Sequence, residues 1–145
     1  MKKNNRDILN IIFEDDNLMV LNKPSGVVVN ISETSPKGTI QNVLEQRFNF
    51  DEVGLESDIS EQIKNEFLQR FGIVHRLDKD TSGVLLVAKT AGAFGNLKKQ
   101  FQNRQVEKEY IALVLGEFKD LKVRINAPIG RNPNNRMKMA IVEEG

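Results

Sequence analysis

The feature that most constrains this chain is the run Val84-Leu85-Leu86-Val87-Ala88 between Gly83 and Lys89. A continuous apolar run of strand length reads as a strand buried on both faces. Thr90 is a natural N-cap for the helix that follows over 91–103, where Phe94, Leu97 and Phe101 recur at i, i+3 and i+7. Upstream lies the densest group of reactive side chains, Gly72 to Gly83, with a histidine, an arginine, two carboxylates and two hydroxyls. A charged loop rooted on a core strand is a common place for catalysis.

The other elements are shorter. Ile11 to Phe13 and Leu18 to Leu21 flank Asp15-Asp16-Asn17 and read as a hairpin. Asn22-Lys23-Pro24-Ser25-Gly26 reads as a second turn, and the β-branched Val27-Val28-Val29 as a strand. Thr39 caps a helix through Phe48, with Ile40, Val43 and Leu44 at helical spacing. Residues 49–59 are acidic and irregular, and 60–69 have helical character. Val106 to Leu115 reads as a long strand, with Val123 to Ile125 and Met137 to Val142 as two more, separated by a loop from Ala127 to Asn135. The expected fold is α+β, a mixed and largely antiparallel sheet with two or three flanking helices.

Composition narrows the function. At 145 residues the chain is at most one domain. It has no cysteine and one histidine, which excludes disulfides and both thiolate and multi-histidine metal sites. No apolar run reaches membrane-spanning length, and the polar segment 1–10 is no secretory signal, so a cytoplasmic protein is expected. Net charge is +1, but it is unevenly spread. Residues 1–66 hold 7 Lys/Arg against 12 Asp/Glu, whereas 98–138 hold 10 against 4. The second segment can present a basic face to phosphates.

Familiar readings of the Gly72–Gly83 segment fail. A kinase catalytic loop would need His-Arg-Asp without the intervening Leu77, and a Gly-rich loop upstream. Neither Ser25 nor Ser82 sits in a nucleophile elbow. Asp78 and Asp80, two apart in a loop, do not face each other across a sugar. The local alternative is structural, with Asp80, Thr81 and Ser82 bonding nearby backbone amides. Arg76 and Asp78 flank Leu77, which is expected to point into the core and anchor the loop, setting the carboxylate beside a cation.

The segment His75-Arg-Leu-Asp-Lys-Asp-Thr-Ser-Gly83 with Val-Leu-Leu-Val-Ala-Lys89 resembles the catalytic motif of the RluA/RluD family of RNA pseudouridine synthases. Asn22-Lys-Pro-Ser-Gly26 with the three valines resembles that family's first motif, and Gly38-Thr39-Ile-Gln-Asn-Val-Leu the helix start after it. Phe101-Gln-Asn-Arg-Gln-Val-Glu-Lys-Glu-Tyr110 is similar to the segment carrying the family tyrosine, and Pro128-Ile-Gly-Arg131 through Arg136-Met-Lys-Met-Ala to the next strand pair. Asn30 departs from the pattern, which usually has histidine after the valines.

The resemblance implies isomerisation of uridine to pseudouridine within RNA, ribosomal RNA of the large subunit being favoured and transfer RNA the alternative, without cofactor or metal. It implies that Asp78 is the catalytic carboxylate, as nucleophile or as base. It implies that Arg76 fills the space left by an extruded nucleotide, and that Tyr110, the only tyrosine, stacks on the flipped uracil. His75 is expected to bond structurally, and Lys23 and Lys89 either to reach phosphate or to support the loop. Residues 11–145 are expected to be the N-terminal portion of the catalytic domain, with no S4 module and without its C-terminal half. A truncated, inactive fragment that at most binds RNA is the competing expectation.

Overall fold

The structure is a computed structural model that describes residues 9–48, 58–117 and 119–142. The acidic stretch 49–59 lies outside the described residues except for Asp58 and Ile59, and so does the N-terminal polar segment up to Ile8. The chain divides into two units, Met1–Lys108 and Glu109–Gly145.

In the first unit, β1 (Ile11–Glu14), β2 (Leu18–Lys23) and β3 (Gly83–Ala88) form a three-stranded antiparallel sheet in the order β1-β2-β3. The β1–β2 turn is locally specified. The Asp15 carboxylate accepts the amides of Asn17 and Leu18, both at 2.8 Å, and these bonds hold its pKa below the usual 3.8. Lys89 clamps the same turn by an ion pair to Glu14 at 3.0 Å and a bond to the Asp15 carbonyl at 2.5 Å.

One face of this sheet carries the core. Met19 and Leu21 of β2 lie opposite Val87 and Leu85 of β3, and all four are buried. Three helices, α1 (Ile40–Arg47), α2 (Glu61–Arg70) and α3 (Ala91–Gln102), contribute Ile40, Val43, Leu44, Phe67, Ala91 and Phe94 to the same cluster. The rings of Phe67 and Phe94 meet edge to face at 5.9 Å. Leu9 joins this core as well. β3 is covered mainly on this face: Leu85 and Val87 are buried, while on the other row Val84 is 57% exposed, Leu86 is half-buried and only Ala88 is fully buried. The expected two-sided burial therefore holds only at the Ala88 end of the strand.

Both predicted caps form. The Thr39 hydroxyl accepts the Asn42 amide at 3.1 Å while the Asn42 side chain takes the Thr39 amide at 3.2 Å, a reciprocal box. The Thr90 hydroxyl accepts the Ala93 amide at 3.1 Å. The N–H groups of Ile40 and Gln41 donate to the carbonyls of Val28 and Val29, each at 3.0 Å. Val27–Val29 is consequently no strand. Its carbonyls serve the open end of α1 instead of a ladder, which β propensity alone cannot foresee.

The second unit contains β4 (Ile129–Asn132) and β5 (Asn135–Ile141), an antiparallel hairpin. The predicted loop over 127–135 thus contains a strand, turned tightly at Asn132, whose side chain accepts the amides of Asn134 and Asn135. Neither Val106–Leu115 nor Val123–Ile125 is a strand. Neither finds a ladder partner among the described residues, and an alternating pattern without a neighbour cannot make one. Ile111, Leu113 and Leu115 are fully exposed, whereas Tyr110 and Val114 on the alternate row are half-shielded. The α+β architecture with antiparallel sheets stands as expected, with three helices among the described residues.

Candidate active-site loop

Between α2 and β3 the chain first runs along the free edge of β3. The Ala88 amide donates to the Gly72 carbonyl at 2.8 Å, and Ile73 bridges Val87. A side chain cannot fit at 72: a Cβ there would lie 2.0 Å from the Ala88 carbonyl oxygen, and φ is +73°. Glycine is what allows this contact.

His75 continues the pairing with its side chain. Nε2 accepts the Leu86 amide at 2.9 Å, an edge N–H that would otherwise lack a partner. The imidazole stacks on Phe101 at 4.6 Å with 22° between planes, and the Lys108 ammonium lies 5.6 Å from the same Phe101 ring. Burial, and next the charge of Lys108, pull the His75 pKa down to about 4. The ring is neutral at pH 7 and bonds structurally, as expected.

Beyond His75 the loop rises to Arg76 and Asp78, both exposed. No ion pair joins them among the described residues, so Arg76 is not consumed by its neighbour. Leu77 is only half-buried and is not part of the core. The apolar anchor expected of it is absent, and a polar one replaces it. Lys23 is fully buried, and its ammonium donates to the carbonyls of Pro24 (3.0 Å), Val27 (2.8 Å) and Lys79 (3.1 Å). All three ammonium protons are therefore used. The Gly26 amide adds a bond to the Lys79 carbonyl at 2.8 Å, and the Ser25 hydroxyl one to the Asp80 carbonyl at 2.8 Å. The Thr81 amide closes the loop on the Asp78 carbonyl at 3.2 Å. The side chains of Asp80, Thr81 and Ser82 make no hydrogen bond among the described residues, so the stabilising bonds come from the 23–26 turn rather than from within the loop. The backbone is held at Asp78 and at the two residues after it, while the Asp78 carboxylate stays in solvent.

Lys23 is the residue that sequence reasoning undervalued. Burial lowers its pKa from 10.5, and the charges of Asp80 and then Asp78 oppose that shift. The signal was present in the alternation Met19, Leu21, Lys23, which continues the core-facing row of β2 to a lysine. Lys89 likewise proves structural, at the opposite end of the sheet. Tyr110 belongs to the second unit, 61% exposed and without a hydrogen bond or ring contact among the described residues.

Residues 17–144 match the family model described as RNA pseudouridylate synthase, and the chain belongs to that family. It is 42% identical over 137 residues to ribosomal large subunit pseudouridine synthase D of Nitrosomonas europaea, covering 94% of this chain and 36% of that protein. It is 40% identical over 134 residues to an uncharacterised RNA pseudouridine synthase of Synechocystis, covering 92% of this chain and 38% of that protein. The chain thus spans little more than a third of the length of these relatives. Among solved structures it resembles human RNA pseudouridylate synthase domain containing 4, with 27% identity, 66% of this chain and 30% of that one covered, and a TM-score of 0.41. No helix among the described residues is long and apolar enough to cross a membrane.

Proposed function

We propose that this chain supplies the Asp78-bearing, N-terminal portion (residues 11–145) of the catalytic domain of an enzyme that converts uridine to pseudouridine in RNA. The observation that carries this reading is the loop itself, a free carboxylate on a backbone fixed just after Asp78, where Lys23 and Gly26 hold the Lys79 carbonyl and Ser25 holds the Asp80 carbonyl. A group acting on one ribose atom must be held in place, and holding the backbone does so while leaving the carboxylate open to substrate.

The reaction is an isomerisation. The bond from ribose C1′ to uracil N1 breaks, the base turns, and a bond from C1′ to C5 forms. The proton displaced from C5 is balanced by one gained at N1. Asp78 acts on the sugar as nucleophile or as base toward a sugar proton. Arg76, exposed and without a carboxylate partner among the described residues, is available to stack in the space of the extruded nucleotide and to bond phosphate. Tyr110 offers an exposed ring on which the flipped uracil stacks. The names of several relatives favour large-subunit ribosomal RNA as substrate, with the cytoplasm as its place of work.

The test is Asp78→Asn in the longest natural form of the protein, with pseudouridine in ribosomal RNA measured by mass spectrometry of nuclease digests. Loss of pseudouridine by at least about 10³-fold is expected. Retained formation would remove Asp78 from the chemistry.

A further inference from the structure

A cleft of about 390 Å³ opens beside the loop, lined by Asn30, Arg70, Ile73, His75 and Arg76. Among the described residues no carboxylate lines it. Arg70 is oriented by Glu66 at 3.2 Å, and the Asn30 amide is turned to Gln41 at 3.4 Å, so both have protein partners. Two donors on the lining residues have no partner among the described residues. One is the guanidinium of Arg76. The other follows from the tautomer of His75.

Nε2 of His75 accepts the Leu86 amide, and a ring nitrogen that accepts carries no proton. The proton of the neutral ring is therefore on Nδ1. The interactions of this ring among the described residues are the Leu86 amide and the face of Phe101, which leaves the Nδ1–H without an acceptor. Among the described residues no buried side-chain nitrogen or oxygen lacks a partner, so Nδ1 is reached by solvent. His75, with an unpaired Nδ1–H, and Arg76, whose guanidinium has no partner among the described residues, thus both line a cleft that also holds a second arginine. Such a wall suits an anion with several acceptor oxygens, and a guanidinium fork suits phosphate in particular.

We infer that this cleft is a phosphodiester subsite, in which the His75 Nδ1–H and the Arg76 guanidinium hold a backbone phosphate of the RNA close to the nucleotide on which Asp78 acts. The inference rests on the function proposed above. Arg76 and Asp78 are two residues apart, about 6–7 Å in extended chain, so a phosphate held at Arg76 belongs to the reacting nucleotide or one near it. The role also explains why the loop begins with a histidine rather than any other acceptor for Leu86. An imidazole can accept from the sheet edge with one nitrogen and keep the other free to donate to a ligand.

The chain has a single histidine, so nitrogen-15 shifts of the imidazole report His75 alone. At pH 7 the spectrum is expected to show a neutral ring protonated at Nδ1. Titration with a uridine-containing RNA oligonucleotide is expected to shift Nδ1, while the same sequence with uncharged methylphosphonate linkages leaves it in place. Binding of the RNA is followed separately by fluorescence anisotropy. His75→Gln keeps an acceptor near the Nε2 position and removes the Nδ1 donor. It is expected to weaken RNA binding about tenfold with little change in melting temperature. RNA that binds without moving Nδ1 overturns the subsite and leaves the broader function standing. An equal shift with the uncharged oligonucleotide also overturns it, since the acceptor is then a base or sugar oxygen. No binding of RNA at all defeats both readings. If the Gln variant does not fold, the titration of the unsubstituted chain decides.

Discussion

The Lys23 ammonium donates to the Lys79 carbonyl at 3.1 Å, joining the end of β2 to the loop that carries Asp78 across 56 positions of sequence. Removing the ammonium leaves the partly buried Pro24 and Val27 carbonyls short of a donor and takes from the Lys79 carbonyl one of its two. Lys23→Met keeps most of the apolar stem and isolates that loss. It is expected to cost about 2–4 kcal/mol in urea denaturation. Hydrogen exchange at the Gly26 and Thr81 amides should rise well beyond what global destabilisation explains. If the two amides stay as protected as the core strands, the lysine does not hold this loop.

Gly72 makes a second, purely steric prediction. An alanine Cβ at this position would meet the Ala88 carbonyl oxygen at 2.0 Å, and the positive φ adds strain. The chain must lift off the β3 edge, breaking the Ala88–Gly72 bond and disturbing the His75–Leu86 contact a few residues on. Gly72→Ala is expected to destabilise by about 2–4 kcal/mol. A loss below about 1 kcal/mol would mean that the edge contact is not required.

His75 sets a pH window. The folded ring titrates at about 4 against an ordinary 6.5, so between these values the unfolded chain holds a proton that the folded chain lacks. Stability is then complete above pH 6.5 and falls as pH is lowered toward 4. Because the ring is partly exposed, the expected loss is on the order of 1–2 kcal/mol. The contribution of Asp15 is lost only at lower pH, as pH falls below its ordinary 3.8, since its folded pKa lies below that value. Urea midpoints at pH 7, 5.5 and 4.5 should show the fall in the natural chain, and a much flatter profile in His75→Gln. Parallel profiles would assign the pH dependence to other groups.

What was legible in the sequence divides by the range of the interactions. The α1 and α3 starts were read correctly because their caps are local: Thr39 bonds Asn42, and Thr90 bonds Ala93, each three residues away. The β1–β2 hairpin was legible for the same reason, through Asp15. Strand identity is a property of pairs. Val27–Val29 and Val106–Leu115 have strand-like residues, but the first gives its carbonyls to α1 and the second meets no partner strand among the described residues. The loop was recognised from its residue types, whereas its anchor was misassigned to Leu77. The three acceptors of Lys23 are backbone carbonyls, which leave no trace in side-chain identity.

The hairpin of the second unit carries a charge prediction. Residues 121–142 contain Lys122, Arg124, Arg131, Arg136 and Lys138 and no aspartate or glutamate. Arg131 is tied to the Arg136 carbonyl at 3.2 Å, whereas Arg136 and Lys138, on one side of β5 by strand alternation, are exposed and unpaired among the described residues. If these two cations neutralise phosphates of a bound RNA, each releases a counterion. The double variant Arg136→Gln with Lys138→Gln should then lower the slope of log affinity against log salt by about 1.4–1.8, depending on whether the contacted RNA is single- or double-stranded. The measurement is RNA binding by anisotropy from about 50 to 200 mM salt, a range over which multi-phosphate contacts change affinity strongly. An unchanged slope, with folding intact by circular dichroism, would remove this hairpin from the RNA contact, whatever its effect on affinity at a single salt concentration.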